Sequence, residues 1–379
     1  MKIGILTQPL YCNYGGIVQC YALQTVLQRM GQNTVILQRE FNRRYSIKGA
    51  CIYYAKHFIK LLMGRRSSWH YYVSQKRRDY IAQNTYHFIE KHINPRSQHC
   101  YSLEELRTEV ENLNLDAIIV GSDQVWRPDY SPCQPNYFLD FLGKDERIKR
   151  ISYAASFGSD DWTFDDDLTA LCGDLLRQFK AVSVREQSAI KLCREHFNVD
   201  AVQTLDPTML LEAVDYRKLY DVNCKKRGSL FCYILDRSLE KKNVIAKIVQ
   251  NTKLQPFESM PELTDETYNL YKDIVRCVYP PVENWLSAFD DAEMIVTDSF
   301  HGTVFSIIYN KPFWVIANEG RGMARFQSLL SVYGLEERLL TTSSLSSIDF
   351  GKEIDWNKVN LKRKHLQQVS LDFLQTALQ

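Results

Sequence analysis

The stretch Glu293-Met-Ile-Val-Thr-Asp298-Ser299-Phe300-His301-Gly302 decides the fold class, because a short apolar run ends in polar residues that open directly into a helical pattern. This pattern predicts a β-strand followed at once by an α-helix over 302–310. In open α/β sheets, ligands bind beyond the carboxyl ends of the strands, where the unpaired N–H groups of the next helix attract anions. Asp298, Ser299 and His301 are therefore candidates for binding an anionic substrate. A helix cap at Asp298 and a structural turn histidine would give the same pattern.

Two further segments repeat this construction. Residues 2–7 predict an opening strand, and the loop Asn13-Tyr-Gly15-Gly16 leads from it into a helix predicted over 17–30. The loop lacks the full G-x-G-x-x-G pattern and the P-loop lysine, which argues against a dinucleotide or Walker-type site. Within residues 116–126 a buried strand is predicted at 117–120, with Gly-Ser-Asp123 at its tip, although a turn in which Asp123 bonds its own backbone has the same sequence.

Strand and helix patterns alternate along the rest of the chain, which is typical of parallel sheets covered by helices. Strands are predicted at 33–37, 148–154, 181–184, 230–235 and 313–317, and helices at 103–113, 167–179, 187–196, 240–251, 282–290 and 356–378. Asp206-Pro-Thr208 marks the crossing between two domains. We predict an α/β protein of two Rossmann-like domains facing across a cleft: residues 1–203, with a basic insertion over 41–92, and residues 204–379, with a C-terminal helix.

Composition excludes several classes of protein. The chain has 379 residues, which favours two domains, and its 47 Lys plus Arg against 45 Asp plus Glu argue against a nucleic-acid binder. Its ten cysteines include no C-x-x-C pair and no zinc spacing, so we expect reduced thiols and no metal site. The N-terminus does not resemble a signal peptide, and no run of 18 apolar residues occurs. These features predict a cytoplasmic protein.

One segment departs from the charge balance. From Phe41 to Arg78 there is no acidic residue, whereas ten basic residues are interleaved with Tyr, Trp and Phe. A solvated helical insertion packed on the first domain would explain the segment. The alternative is a peripheral membrane element on the inner face of the membrane, since basic side chains are attracted to anionic headgroups and Tyr and Trp favour the interface.

Three arginines are predicted near carboxyl ends of strands. Arg185 ends the strand at 181–184, and Arg321 and Arg325 lie four residues apart in the segment that follows the strand at 313–317. Arginine binds carboxylate and phosphate groups bidentately, so together with His301 these residues suit a small substrate with more than one negative charge. Each arginine taken alone could equally form a surface salt bridge.

Taken together, the motifs resemble the polysaccharide pyruvyl transferase family over nearly the whole chain. They are Asn13-Tyr-Gly-Gly16, Gly121-Ser-Asp-Gln-Val-Trp126, Ser152-Tyr-Ala-Ala-Ser-Phe-Gly158, Ser183-Val-Arg185-Glu186, Asp206-Pro-Thr208 and Asp298-Ser-Phe-His301-Gly302. The resemblance implies a GT-B-like fold and a metal-independent enzyme that needs no cofactor. It also implies transfer of the enolpyruvyl unit of phosphoenolpyruvate, bound in the interdomain cleft, to a sugar of a surface polysaccharide precursor, giving a pyruvate ketal.

The resemblance also suggests roles for individual residues. The arginine of the family's Ser-Val-Arg motif corresponds to Arg185, and the histidine of its strand-tip motif corresponds to His301. Several members carry another arginine two residues before that histidine, where this chain has Ser299, so Arg321 or Arg325 is expected to supply the missing charge. Ser299, Asn13, Gly15 and Gly16 are further candidates for binding substrate.

A mechanism for this reaction needs an acid and a base. We assign His301 to the phosphate side, as leaving-group stabiliser or general acid, because imidazole exchanges protons near neutral pH. Asp123, from the facing domain, is the candidate base for the acceptor hydroxyl, and Asp298 is the candidate that orients the His301 ring. The N-terminal domain is expected to bind the acceptor, a polyprenyl-linked oligosaccharide, and the C-terminal domain the donor.

Two other functions remain compatible with the sequence. A nucleotide-sugar-dependent GT-B glycosyltransferase would use a similar cleft, although no acidic residue stands in a convincing ribose-binding context. A non-catalytic carbohydrate-binding protein of capsule assembly would keep the sheets but have no use for converging arginines and a histidine.

Overall fold

A computed structural model describes residues 1–41, 55, 73–222, 228–316, 323–340 and 348–379 of the chain. Arg321 and most of the basic segment, including Lys56, Lys60, Arg65 and Arg66, lie outside these described residues. The predictions made for them therefore stay predictions. Within the described ranges, two parallel β-sheets surrounded by helices confirm the α/β class predicted from the sequence.

The first sheet is built from the N-terminal half of the chain. Its strands are β1 (Lys2–Leu6), β2 (Asn33–Arg39), β3 (Arg96–Cys100), β4 (Ala117–Val120), β5 (Lys149–Ala155), β6 (Ala181–Val184) and β7 (Val202–Gln203). They are parallel and lie in the order β3-β2-β1-β4-β5-β6-β7. The helices between them are α1 (Tyr14–Arg29), α2 (Gln75–His92), α3 (Leu103–Leu113), α4 (Asp166–Leu176) and α5 (Gln187–Leu192).

The second sheet follows in the C-terminal half. Its strands are β8 (Leu230–Tyr233), β9 (Pro256–Phe257), β10 (Met294–Thr297), β11 (Phe313–Ile316) and β12 (Leu339–Leu340), in the order β12-β11-β10-β8-β9. The helices are α6 (Ala213–Arg217), α7 (Leu239–Thr252), α8 (Thr267–Lys272), α9 (Val282–Asp291), α10 (Phe300–Ile308), α11 (Met323–Tyr333) and α12 (Trp356–Leu378). Because β10 is the central strand, its carboxyl end places the start of α10 at the middle of the sheet edge.

The central strands are buried on both faces, which is why they read as continuous apolar runs in the sequence. All four residues of β4 and all four residues of β10 are buried. The cores on the two faces of each sheet are filled by Ile, Val, Leu and aromatic side chains. None of the helices in the described ranges is both long and apolar enough to cross a membrane.

Two helices connect the halves of the molecule. The C-terminal helix α12, predicted as part of the second domain, returns to the first sheet, where Ser370 Oγ accepts a hydrogen bond from Leu205 N at 3.0 Å. On another side, α2 contacts the second half through Asn84 Nδ2, which donates to Tyr279 O at 2.8 Å. These contacts help to fix the two sheets relative to each other. They therefore also help to fix the cleft between the edges of the sheets.

Candidate functional site

A cleft of about 1100 Å³ opens between the carboxyl edges of the two sheets. Residues of the first half, including Asn13 and Asp123, form one wall. The opposite wall contains Ser299, His301 and Arg325. The structure thus brings together at one cleft the strand-tip residues that the sequence predicted from separate motifs.

The N-termini of α1 and α10 meet in this cleft. Both helices begin earlier than the sequence predicted, so that Gly15 and His301 lie in their first turns. A Cβ atom on Gly15 would lie 2.1 Å from Nδ1 of His301, which means that only glycine permits this approach. Neither helix has an acidic residue in its first turn. Two positively polarised helix ends therefore converge where an anion could bind.

Asp123 is held in place from three directions. It has a positive φ of 70°, and its backbone carbonyl accepts a hydrogen bond from Ser156 N at 3.1 Å. Its Oδ2 accepts from Asn13 Nδ2 at 3.1 Å, and its Oδ1 lies 3.6 Å from Nη2 of Arg185. Asn13 occupies the N-cap position of α1 but makes no side-chain cap, because its amide is directed at Asp123. The carboxylate is therefore fixed at the cleft wall.

Asp298 does not orient His301, contrary to the sequence-based expectation. Its carboxylate accepts hydrogen bonds from the backbone N–H groups of Leu235 and Asp236, at 2.7 and 3.1 Å, and from Nζ of Lys241 at 2.7 Å. These donors lie after β8 and in α7, so the side chain is satisfied within the second domain. The helix cap is Ser299, whose Oγ accepts from Gly302 N at 3.4 Å. Asp298 thus fixes the strand tip that carries His301.

The carboxylate that faces His301 belongs to Asp206, in the segment that crosses between the domains. Its Oδ2 lies 3.6 Å from Nε2 of His301 and accepts from Nη1 of Arg185 at 3.1 Å. Burial alone would raise the pKa of Asp206, but the neighbouring His301 and Arg185 and the hydrogen bonds from Thr208 hold it well below its usual range. Sequence analysis used Asp206 to mark the domain crossing and as part of the motif Asp206-Pro-Thr208, but assigned it no role in the site. Its position just after β7, at another strand end, was the signal that could have identified it.

Arg185 is surrounded by carboxylates and does not line the cleft. Its side chain is buried against Asp206, Asp123 and Glu186, with nitrogen to oxygen distances of 3.1, 3.6 and 3.9 Å. Its guanidinium carbon lies 4.3 Å from the centre of the Phe300 ring. This differs from the expectation that Arg185 contacts the substrate anion, since its charge is already offset by three acids. The structure favours a positioning role.

Three arginines were predicted to bind the substrate anion. Of these, Arg325 lines the cleft in the part of the chain that the structure describes. It lies near the start of α11, is buried, and contributes to the cleft wall beside Phe326. Burial, together with repulsion from Arg185, lowers its pKa to about 10. The side chain therefore stays cationic near neutral pH. Arg321, its predicted partner, lies outside the described residues.

The cleft also has an aromatic wall that sequence analysis missed. The tyrosines that line it come from both halves of the chain: Tyr11, Tyr14, Tyr86, Tyr101, Tyr130, Tyr233 and Tyr279. Aromatic faces with polar tips suit an amphipathic ligand such as a sugar. Within the described residues, no group of His, Cys, Asp and Glu is arranged to hold a metal ion.

Residues 13–320 match the family model described as polysaccharide pyruvyl transferase, whereas a search of curated proteins found no match. Among solved structures, the chain is similar to Arabidopsis thaliana UGT89C1 complexed with UDP-L-rhamnose, with 9% identity, a TM-score of 0.52 and coverage of 99% of this chain and 98% of that chain. It is also similar to a UDP-glucosyltransferase from Polygonum tinctorium, with 10% identity, a TM-score of 0.48 and coverage of 100% and 98%. At such identities the likeness shows the fold alone, and UGT89C1 confirms the predicted GT-B-like arrangement.

Proposed function

The chain belongs to the polysaccharide pyruvyl transferase family, and on that premise we propose that it uses phosphoenolpyruvate as donor and forms a pyruvate ketal on a sugar of a capsular or exopolysaccharide precursor. The acceptor in this proposal is an oligosaccharide carried on a polyprenyl lipid. The proposal needs one subsite for a small, multiply charged anion and a neighbouring surface for a sugar.

One observation carries the proposal: the N-termini of α1 and α10 meet at Gly15 and His301 in a cleft shared by both domains, and Arg325 lines the same cleft. Helix N-termini and a sheltered guanidinium are suited to phosphate and carboxylate groups. The volume of the cleft, about 1100 Å³, is larger than phosphoenolpyruvate alone requires. Pockets of about 300–1,000 Å³ already hold drug-sized ligands, which are larger than phosphoenolpyruvate. The tyrosine-lined remainder is available to the acceptor.

The proposed reaction assigns a proton transfer to each step. Asp123 takes the proton of the first acceptor hydroxyl as the hydroxyl oxygen attacks the enol carbon. Solvent water supplies the proton that adds to the methylene carbon, and Asp123 returns its proton to solvent. The bond from that carbon to the phosphate oxygen then breaks, and His301 protonates or stabilises the departing phosphate. The second hydroxyl attacks the resulting oxocarbenium carbon and loses its proton, which closes the ketal. The products are the ketal and inorganic phosphate.

Ligand-induced thermal stabilisation tests the donor. Phosphoenolpyruvate is expected to raise the melting temperature of the protein, since a ligand that binds only the native state stabilises it by about 2.7 kcal/mol at 100 times its Kd. UDP-glucose is the matched comparison, because the GT-B-like fold also suits a nucleotide-sugar enzyme. Stabilisation by UDP-glucose and not by phosphoenolpyruvate would contradict the proposal. Mass spectrometry after incubation with phosphoenolpyruvate and lipid-linked galactosides and mannosides identifies the acceptor.

Replacing Arg325 with alanine is expected to weaken phosphoenolpyruvate binding by about 2 kcal/mol, or about 30-fold, because a sheltered charge-assisted contact is lost. Lysine should restore little of this affinity, since it lacks the planar bidentate geometry. The Michaelis constant for phosphoenolpyruvate measures the effect. Arg194, which pairs with Asp200 at 2.8 Å and is not among the residues that line the cleft, provides a control substitution to alanine. Equal effects of the two alanine substitutions would remove Arg325 from the donor subsite.

The cellular setting of the reaction is part of the proposal. A lipid-linked acceptor places the enzyme on the cytoplasmic side of an anionic membrane surface. The basic residues of Phe41–Arg78 would provide that contact, but those between positions 42 and 72 lie outside the described residues. Their role in membrane binding therefore rests on the sequence.

A further inference from the structure

The geometry points to a positioning role for Asp206: its carboxylate keeps a proton on Nε2 of His301, so that Nδ1 is the ring nitrogen presented to the substrate. This tautomer is a property of the protein without substrate. Its consequence for turnover rests on the proposed function, whereas the tautomer itself does not.

The two nitrogens of the His301 ring lie in different surroundings. Nε2 is buried, makes no hydrogen bond within the described residues, and faces Oδ2 of Asp206 at 3.6 Å. Nδ1 lies beside Gly15 at the start of α1, where the two helix N-termini converge. The side chain is 9% exposed and forms part of the cleft wall. An anion at the helix ends would therefore meet Nδ1 and not Nε2.

Asp206 is held in one orientation before any ligand binds. Its Oδ1 accepts hydrogen bonds from the backbone N and Oγ1 of Thr208, at 3.1 and 2.7 Å. Its Oδ2 accepts from Arg185 at 3.1 Å and from Oγ of Ser122 at 3.3 Å. A carboxylate held ionised by such donors can only accept hydrogen bonds. The atom of His301 that faces it is therefore best satisfied as Nε2–H, and the partner of one ring nitrogen sets the tautomer of the other.

Other charged groups surround the ring but do not replace Asp206. They lie after β4, after β6, in α11 and at the tip of β10: Asp123, Arg185, Arg325, and Asp298 with its partner Lys241. Among the carboxylates of the described residues, Asp206 is the one with an oxygen within 4.0 Å of a ring nitrogen of His301. Arg185 donates to the same Oδ2 atom at 3.1 Å, whereas Nε2 of His301 lies 3.6 Å from it.

This arrangement defines a proton path for the departure of phosphate. With both nitrogens protonated, Nδ1–H donates its proton to the bridging oxygen as the bond from carbon to that oxygen breaks. The ring is left as the neutral Nε2–H form, which Asp206 favours. The second acceptor hydroxyl loses its proton when it attacks the oxocarbenium carbon, and that proton returns to Nδ1. No external oxidant, reductant or cofactor is required.

Nitrogen-15 NMR of histidine-labelled full-length protein tests the tautomer directly. Spectra are recorded at about pH 9, above the ordinary titration range of histidine, and the His301 signals are assigned by their loss in His301→Gln. We expect Nε2–H in the wild type and a mixture of tautomers in Asp206→Asn. A predominant Nδ1–H form in the wild type would overturn the inference, whether or not the variant folds. An unchanged tautomer in Asp206→Asn would overturn it as well.

Kinetics provide the second measurement. Asp206→Asn is expected to lower kcat by about 100-fold, as substitutions of groups that orient a functional histidine do, while the Michaelis constant for phosphoenolpyruvate changes little. Asp215→Asn is the matched control, since Asp215 is another buried carboxylate, paired with Arg29 at 2.7 Å and not among the cleft residues. Equal losses of kcat in both variants would contradict the positioning role. Absence of pyruvyl transfer in the wild type would refute the proposed function but leave the NMR result standing.

Discussion

Replacing His301 with asparagine is expected to reduce turnover at least about 1000-fold, because the phosphate would lose its proton donor and a charged group at the point of bond breaking. Asparagine keeps an amide N–H close to the position of Nδ1 but cannot transfer a proton. The side chain lies at the cleft wall and not in the apolar core, so the free energy of unfolding should fall by no more than about 2 kcal/mol. Phosphate release from phosphoenolpyruvate measures turnover, and urea unfolding measures stability.

His196 supplies the control for this substitution. Its ring stacks on Trp162 at 4.0 Å, and it is not among the residues that line the cleft. His196→Asn should therefore retain turnover close to that of the wild type. If His301→Asn folds and also retains it, His301 is a structural residue of the α10 N-terminus and the assignment of the leaving-group step to it is wrong.

The sequence was sufficient to predict the strand ends and their convergence. The strands at 117–120 and 181–184 and the helices at 103–113 and 356–378 begin and end where the structure places β4, β6, α3 and α12. These elements are long periodic patterns or buried apolar runs, whose burial fixes their type. Because ligands bind beyond the carboxyl ends of parallel strands, and two such domains were predicted to face each other across a cleft, Asp123 and His301 could be assigned to one cleft without knowing the structure.

The sequence did not predict which side chains pair at that edge. Asp298 was chosen to orient His301 because it is close in sequence, but its carboxylate is satisfied by two backbone N–H groups and Lys241. Asp206, distant in sequence, occupies the position instead. Periodicity reports which face of an element is buried, but it does not report the direction of a polar side chain at a strand tip, which depends on donors from other elements.

The helix starts illustrate the same limit. A loop was predicted through Gly16 because paired glycines usually interrupt helices, yet α1 begins at Tyr14. Glycine is needed there for contact, since a Cβ on Gly15 would collide with His301 from the other domain. A requirement set by a residue of the facing domain leaves no local trace in the sequence.

Arg185→Ala is expected to lower the free energy of unfolding by about 3–5 kcal/mol, the range observed when one partner of a buried ion pair is removed. The substitution leaves Asp206, Asp123 and Glu186 buried without the cation that offsets them, and it removes the stacking on Phe300. Urea unfolding measures the loss. Arg217→Ala is the control, because Arg217 also forms a two-bond pair, with Asp290, but is partly exposed. That change should cost at most about 1 kcal/mol.

The dependence of this loss on pH identifies its cause. The pKa of Asp206 is held well below its usual range, so its stabilising contribution is present above the ordinary Asp pKa of about 3.9 and is lost as the pH falls further. Burial already raises the pKa of Glu186, and removing Arg185, which lowers it, would raise it further. Glu186 in Arg185→Ala therefore takes up a proton at a higher pH than in the wild type, which neutralises one of the uncompensated charges. The stability difference between the two proteins should accordingly be smaller at about pH 5 than at about pH 7. A difference that stays constant or grows on acidification would mean that lost packing on Phe300, and not uncompensated charge, causes the destabilisation.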